Sequence, residues 1–330
     1  MALLTNSVTA RETAKIIADA RAVAKIPAAA AVAFNTRKIT SFHFAGTTRI
    51  DSAITVEKDS VWHIGSDAKA MTATLIAILV EKKILKWENT MAEIFPDLAE
   101  KFHADARKTT IIQLLSHTAG LPTNPESTQR VLSRREVTKI GLALEPTEGF
   151  LYSNFGYIIA GAAVEELLDT TWEEAIQKHL FEPLAIKTAG FGPPKGAKAI
   201  HGHWKNKPMS HDNPPMYGPA GGLHLSLSDW VLFCQDQIKG HHGKGKLLTQ
   251  ANYHKLHTPI KNNYALGWGT KQDDGKVIRL QHDGSNTMWY ARVKLDLIKQ
   301  HGYLITINTA DKEAVEWFPK IEKSLVPTSK

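Results

Sequence analysis

The sequence predicts an α/β fold of the α+β type: one antiparallel sheet built from N- and C-terminal strands, flanked by helices, with an all-helical subdomain between them. Three observations carry that reading. Strand-like runs gather at the two ends of the 330-residue chain, while the middle is helical and loop-like. The C-terminal runs follow one another with short connections, as in an antiparallel meander and unlike parallel βαβ units. Hydrophobic residues make up 43% and charged residues 22%, enough apolar material for a buried core. The expected division is one domain over 1–330, with a sheet subdomain at about 1–85 and 221–330 and a helical one at about 86–220.

In chain order, Thr9-Ala-Arg-Glu12 has the pattern of a capping box, and Ala14, Ile16, Ile17, Ala20, Val23 and Ala24 follow at helical spacing. Short strands are expected at 26–34 and 39–44, around a turn at Asn35-Thr-Arg-Lys38. Residues 66–85 contain few breakers and read as a long, largely buried helix. Further helices are expected at 109–116, 133–144, 153–168 and 172–180. The stretch 190–222, rich in Pro, Gly and His, reads as a long functional loop. Ser228 is placed to cap a helix reaching about Lys239. Strands at 264–270, 277–282, 287–295 and 303–308 and a last helix from Asp311 to about Leu325 complete the chain. No internal repeat or low-complexity tract interrupts it.

Composition excludes several classes of function. Lys and Arg outnumber Asp and Glu by 40 to 33, but no run of five basic residues occurs, nor any zinc-finger, RNA-recognition or basic-zipper pattern. The excess charge is spread out and is not a nucleic-acid footprint. Cys234 is the only cysteine, so intrachain disulfides and cysteine-based metal clusters are ruled out; its apolar setting, Trp230-Val-Leu-Phe-Cys234, makes it a small buried hydrophobe. No apolar run is long enough to span a bilayer. The first residues lack the basic start, apolar stretch and cleavage site of a signal peptide. Nucleotide-cofactor loops of the G-x-x-x-x-G-K-[ST] or G-x-G-x-x-G type are missing, as is the G-x-S-x-G elbow. His201, His203 and His211, and the pair His241-His242, have no carboxylate cluster nearby and read as solvated loop residues, so neither metal nor organic cofactor is expected. Trp204, Tyr217 and Trp289 suit either a substrate cleft or ordinary packing.

Three constellations have chemical potential. In Ser66-Asp-Ala-Lys69 a helix starting at Ser66 puts Lys69 one turn on and within reach of the hydroxyl, while free N–H groups at the helix start can steady an oxyanion. In Tyr152-Ser-Asn154 a phenol can serve as a base if a nearby lysine lowers its pKa, and Asn154 can both donate to a carbonyl and hold that lysine. In His282-Asp-Gly284 the glycine permits close backbone approach of a ligand, and the N–H of Ser285 offers a second oxyanion donor. Each has a plainer reading alone: a cap and a surface lysine, an aromatic before a helix cap, a strand end. Together, in this order, they are far more specific.

With these motifs the chain resembles the serine β-lactamase and penicillin-binding-protein-like hydrolases, most like the class C β-lactamase and family VIII-type esterase branch. Supporting segments are Trp62-His-Ile-Gly-Ser66, Leu114-Leu-Ser-His-Thr-Ala-Gly-Leu121, Phe150-Leu-Tyr-Ser-Asn-Phe-Gly-Tyr157, Gly218-Pro-Ala-Gly-Gly-Leu223, Leu266-Gly-Trp268 and His282-Asp-Gly-Ser-Asn286. The resemblance runs from about 25 to 310 and implies a β-lactamase/transpeptidase-like fold. It further implies Ser66 as an acylated nucleophile, Lys69 and Tyr152 sharing its proton, and Asn154 positioning substrate and Lys69. The backbone N–H groups of Ser66 and Ser285 would form an oxyanion hole, with Gly284, Gly221 and Gly222 lining the substrate site. His282 stands where such proteins most often carry lysine, which weakens specificity for carboxylate-bearing β-lactams. Asp67 is unusual beside the nucleophile.

The expected function is therefore a serine hydrolase working through an acyl-enzyme on small β-lactams, esters or amides. A D-amino-acid or peptidoglycan peptidase, or a non-catalytic binding protein on the same fold, are the alternatives. The implied partner is a small-molecule substrate, with oligomeric state open. The resemblance also implies export, so a periplasmic or secreted location is expected, with a native signal removed; a cytoplasmic location is the alternative.

Overall fold

The computed structural model describes residues 2–126, 131–196 and 199–325. Among them the strands are β1 (Ala28–Asn35), β2 (Ile39–Gly46), β3 (Val61–His63), β4 (Gly190–Phe191), β5 (Gly202–Trp204), β6 (Lys207–Met209), β7 (Leu223–Ser226), β8 (Gly269–Asp273), β9 (Lys276–Ser285), β10 (Tyr290–Asp296) and β11 (His301–Ile307). One antiparallel sheet runs in the order β2-β1-β11-β10-β9-β8, and the two ends of the chain meet where Ala31 of β1 lies opposite Ile305 of β11. A smaller sheet, β3-β7-β4, sits beside it.

The composition of β1 explains the layering. It reads Ala-Ala-Ala-Ala-Val-Ala-Phe-Asn and is buried almost throughout, because both faces are covered. Successive side chains of a strand point to opposite faces. Ala28, Ala30, Val32 and Phe34 accordingly join the main core, which includes the Ala68–Glu81 helix, while Ala29, Ala31 and Ala33 join a second core. Ile17 and Ala20 of the Ala2–Val23 helix and Phe318, Ile321 and Leu325 of the Phe318–Leu325 helix complete that second core. Alanine keeps both layers close to the strand.

Helices Met91–Ile94, Ile111–Leu115, Arg134–Leu142, Asn154–Leu168 and Trp172–Ile176 occupy the middle of the chain. Capping boxes at Thr90/Glu93, Thr110/Gln113, Ser133/Glu136 and Thr171/Glu174 satisfy their first N–H groups, which is why such short helices start where they do. The buried Arg134 pairs with Glu165 and Glu173 and ties three of these segments together.

Several expectations need correction. The N-terminal helix runs over Ala2–Val23, so Thr9 and Glu12 lie inside it and do not cap it. Ser66 belongs to a 3₁₀ turn, Gly65–Asp67, that feeds the Ala68–Glu81 helix without capping it by a side chain. The 190–222 stretch is largely structured: it carries β4, a β5–β6 hairpin turning at Lys205 and Asn206 (φ 49° and 61°), and two helical turns over 215–221. The cap of the Leu227–His241 helix is Ser226, whose hydroxyl accepts from Asp229 N–H, and Ser228 lies within the first turn. Residues 264–268 form a tight turn before β8, the loop at 286–289 delays β10 to Tyr290, and the last helix is two, Lys312–Val315 and Phe318–Leu325, the second with Pro319 in its first turn. The Gln250–His257 helix was not anticipated.

Candidate active site

The nucleophile candidate and its partner come from one chain segment. Lys69 is fully buried, and its Nζ lies 3.1 Å from Ser66 Oγ, 2.7 Å from Asn154 Oδ1 and 2.6 Å from the carbonyl oxygen of Ala220. The last two atoms can only accept. A neutral amine has two N–H donors and one lone pair, so donation to both carbonyls leaves the lone pair facing the hydroxyl of Ser66. Burial favours that neutral form and pulls the Lys69 pKa down to about 7, against the opposing pull of Asp67.

Tyr152 departs from the expectation of a lysine-activated phenolate. Its ring centroid is 4.9 Å from Lys69 Nζ, but its hydroxyl is buried without a hydrogen bond of ordinary geometry. Burial raises its pKa above the ordinary phenol range, with only partial relief from the nearby Ser66. At neutral pH Tyr152 therefore keeps its proton and can give one, while Lys69 is the group able to take one.

The segment 114–124 explains how Tyr152 and Asn154 are held. Ser153 N–H donates to His117 Nδ1 at 3.1 Å, Ser153 Oγ to Pro122 O at 2.6 Å and Asn154 N–H to Thr123 O at 2.7 Å. Asn154 Nδ2 donates to Asn124 Oδ1 at 2.7 Å, which orients its own oxygen toward Lys69. The buried His117 ring packs 4.2 Å from that of Tyr152, and burial lowers its pKa to about 2, so it is a neutral wall.

His282 lies on β9 and is buried. Its Nε2 is 3.2 Å from the Tyr264 hydroxyl, its Nδ1 is 3.0 Å from Asp283 O, and Asp67 Oδ1 is 3.5 Å from the same Nδ1. Burial and Lys69 hold its pKa near 4. It borders the site as a neutral imidazole already engaged at both nitrogens. Asp67 is itself buried, which holds its carboxyl well above the usual carboxylate range.

The backbone beyond His282 runs directly over the nucleophile turn. A Cβ on Gly284 would fall 1.9 Å from Ile64 O, and one on Gly65 (φ +52°) would fall 2.6 Å from Ser285 N. Only glycine fits at either place. That contact sets Ser285 N against Gly65, the residue before Ser66. A Cβ on Gly221 would meet the Gly65–Ser66 peptide at 3.4–3.5 Å, whereas Gly222 is tied to the scaffold through Gly218 O and Gly192 N–H. Ser66, Lys69, Tyr152, Asn154, His282, Gly284, Ser285 and Gly221 thus converge, and Gly222 stands behind them.

Tyr264, Ala220 O and Asn124 escaped the sequence reading. Tyr264 precedes Leu266-Gly-Trp268 by two residues, a weak signal; a carbonyl acceptor and a loop asparagine leave none. Trp289 is core: its ring is 2% exposed and its Nε1 donates to Ile200 O, while Trp204 is exposed and Tyr217 half-buried against the core. His203 is also buried, between Ile50 N–H and Asn308 O, and His241 packs against His254 and His257, so neither is a solvated loop residue. No group of three or more His, Cys, Asp or Glu among the described residues is arranged to hold a metal ion. No helix among them is long and apolar enough to cross a membrane.

Known proteins resemble the chain both in sequence and in fold. The family model described as Beta-lactamase matches residues 13–320. Penicillin-binding protein 4 of Amycolatopsis lactamdurans is 32% identical over 206 residues, which cover 58% of this chain and 54% of that protein. The chain spans about half the length of the curated relatives it matches. A solved class C beta lactamase from Rhodobacter sphaeroides shares the fold with a TM-score of 0.78 at 18% identity, covering 94% of this chain and 98% of that one. The D-alanine carboxypeptidase AmpC from Burkholderia cenocepacia does so with a TM-score of 0.79 at 18% identity, covering 96% and 99%.

Proposed function

Because the chain belongs to the beta-lactamase family, we propose that it is a serine hydrolase that cleaves small esters, or amides, lacking a carboxylate beside the scissile bond. The observation that carries the reading is Lys69 Nζ, buried, 3.1 Å from Ser66 Oγ and with its pKa drawn down to about 7. Neutral Lys69 takes the Ser66 proton as Oγ bonds to the substrate carbonyl carbon. The carbonyl electron pair moves onto oxygen, where the N–H groups of Ser66 and Ser285 receive it. Collapse expels the alcohol or amine, which takes its proton from Lys69 through the Tyr152 hydroxyl, and the acyl group stays on Ser66. Water then attacks the acyl carbon with Lys69 taking its proton, the Oγ–acyl bond breaks to release the acid, and Ser66 Oγ takes that proton back from Lys69.

The preference for uncharged substrates rests on charge. A β-lactam or a C-terminal D-amino acid presents a carboxylate, which calls for a fixed cation. His282 is neutral near pH 7, with Asp67 3.5 Å away. Arg292 is committed to Asp283 through contacts of 2.6 and 2.7 Å, and Lys69 is committed to Ser66, Asn154 and Ala220. Export to the periplasm or medium is part of the same proposal.

The test is turnover of a short-chain aryl ester beside a chromogenic cephalosporin, with Ser66→Ala as blank. Ester hydrolysis should depend on Ser66 and exceed cephalosporin hydrolysis by about 10²-fold or more in kcat/KM, the scale of a buried charge left without its partner. Comparable rates on both would make it a β-lactamase. Turnover unchanged in Ser66→Ala would overturn the mechanism.

A further inference from the structure

Behind the oxyanion donors lies a buried polar chain that the mechanism above does not use. His63, the last residue of β3, is fully buried, and its Nδ1 accepts from the N–H of Gly65, the residue before the nucleophile, at 3.1 Å. Its Nε2 lies 2.8 Å from Asp212 Oδ2, both side chains being shielded from solvent. The other oxygen of Asp212 accepts from Asn286 Nδ2 at 2.6 Å and from Asn213 N–H at 2.7 Å. Asn286 immediately follows Ser285, and its own oxygen accepts from Trp289 N–H at 3.2 Å. The Trp289 ring stacks on His63 with centroids 5.0 Å apart. One carboxylate, contributed by the 190–222 stretch, therefore joins the residue before one oxyanion donor to the residue after the other.

We propose that His63 and Asp212 are positioning residues that set the spacing of the two oxyanion N–H groups, through Gly65 on one side and Asn286 on the other. The inference rests on the serine hydrolase reading above. Gly65 N–H donates to His63 Nδ1, so the ring proton sits on Nε2, which faces Asp212 Oδ2 at 2.8 Å in a buried polar contact without ordinary hydrogen-bond geometry. The φ of +52° at Gly65 and its contact with Ser285 N are the backbone features this chain braces. Loosening it displaces donors that must meet a developing negative charge, so the cost appears in the transition state more than in substrate binding.

The experiment compares wild type, Asp212→Ala and Asp212→Asn, with each preparation titrated for active sites by a fluorophosphonate. An aryl ester supplies kcat and KM, and an arylboronic acid, whose serine adduct places an oxygen in the hole, supplies an inhibition constant. The expected result for Asp212→Ala is a kcat about 10- to 100-fold lower, KM within about threefold, and boronate affinity weakened in step with kcat. Asp212→Asn keeps the shape but can serve only some of its three partners, so it falls in between and keeps the question open to test if the alanine variant fails to fold. Titrated variants with wild-type kcat and boronate affinity, whatever their melting temperature, would overturn the proposal. So would a rise in KM with boronate affinity unchanged, which would make Asp212 a substrate contact. Failure of the wild type to react with the fluorophosphonate at Ser66 would instead sink the hydrolase reading beneath it.

Discussion

Lys69→Gln lowers ester turnover by about 10²–10⁴-fold, the contribution of a general base. Glutamine can still donate to Asn154 Oδ1 and Ala220 O, which now receive hydrogen bonds of 2.7 and 2.6 Å from the amine. What it lacks is a basic lone pair aimed at Ser66. Substrate binding uses other groups, so KM should change little, and steady-state kinetics with a circular dichroism check separates the two effects. A loss smaller than about tenfold would assign the proton to another group, and Tyr152, the remaining candidate beside Ser66, is held protonated by burial.

Gly284→Ala is the second large effect. The added methyl would lie 1.9 Å from Ile64 O, 2.7 Å from Asp67 Oδ2 and 3.0 Å from Asp67 N, and two of these three are backbone atoms that cannot rotate away. Strand β9 must therefore lift off the nucleophile turn, taking the Ser285 N–H with it. Turnover should fall by about 10²–10³-fold, the loss known for removing one oxyanion donor. Overpacking should cost about 1–3 kcal/mol of stability as well, visible in a thermal melt. A variant of near wild-type activity would mean that Ser285 is not a donor.

Much of this site was legible because its motifs are local. Ser66 and Lys69 are one turn apart in any helical reading, and the Tyr152, Asn154 and His282 motifs follow in an order few other chains share. The outer architecture was legible for a similar reason: β1, β2, β10 and β11 are rich in β-forming or small apolar residues. What could not be read depends on partners distant in sequence. The role of Tyr152 turns on burial, which overrides any help from the lysine beside it. Asp212 looks like an ordinary loop residue until folding sets it 2.8 Å from His63, 149 positions earlier in the chain. Trp289 could be weighed as cleft or core but not decided, since the deciding acceptor is the carbonyl of Ile200. Local chemistry also misled in places: Thr9 to Glu12 has the residue types of a capping box, but the helix begins upstream of it.

The central claim is that neutral Lys69 is the base that activates Ser66, and the pH dependence of kcat/KM for the ester tests it most directly. The deprotonated amine is the active form. The rate should rise with pH, tenfold per unit below a midpoint near 7, and level off above it. His282, held near 4, and His117, held near 2, titrate too low to produce that limb. The limb should vanish from the residual activity of Lys69→Gln. A rate that stays level from pH 5 to 8, or a limb rising only near the ordinary lysine value of 10.5, would contradict the account.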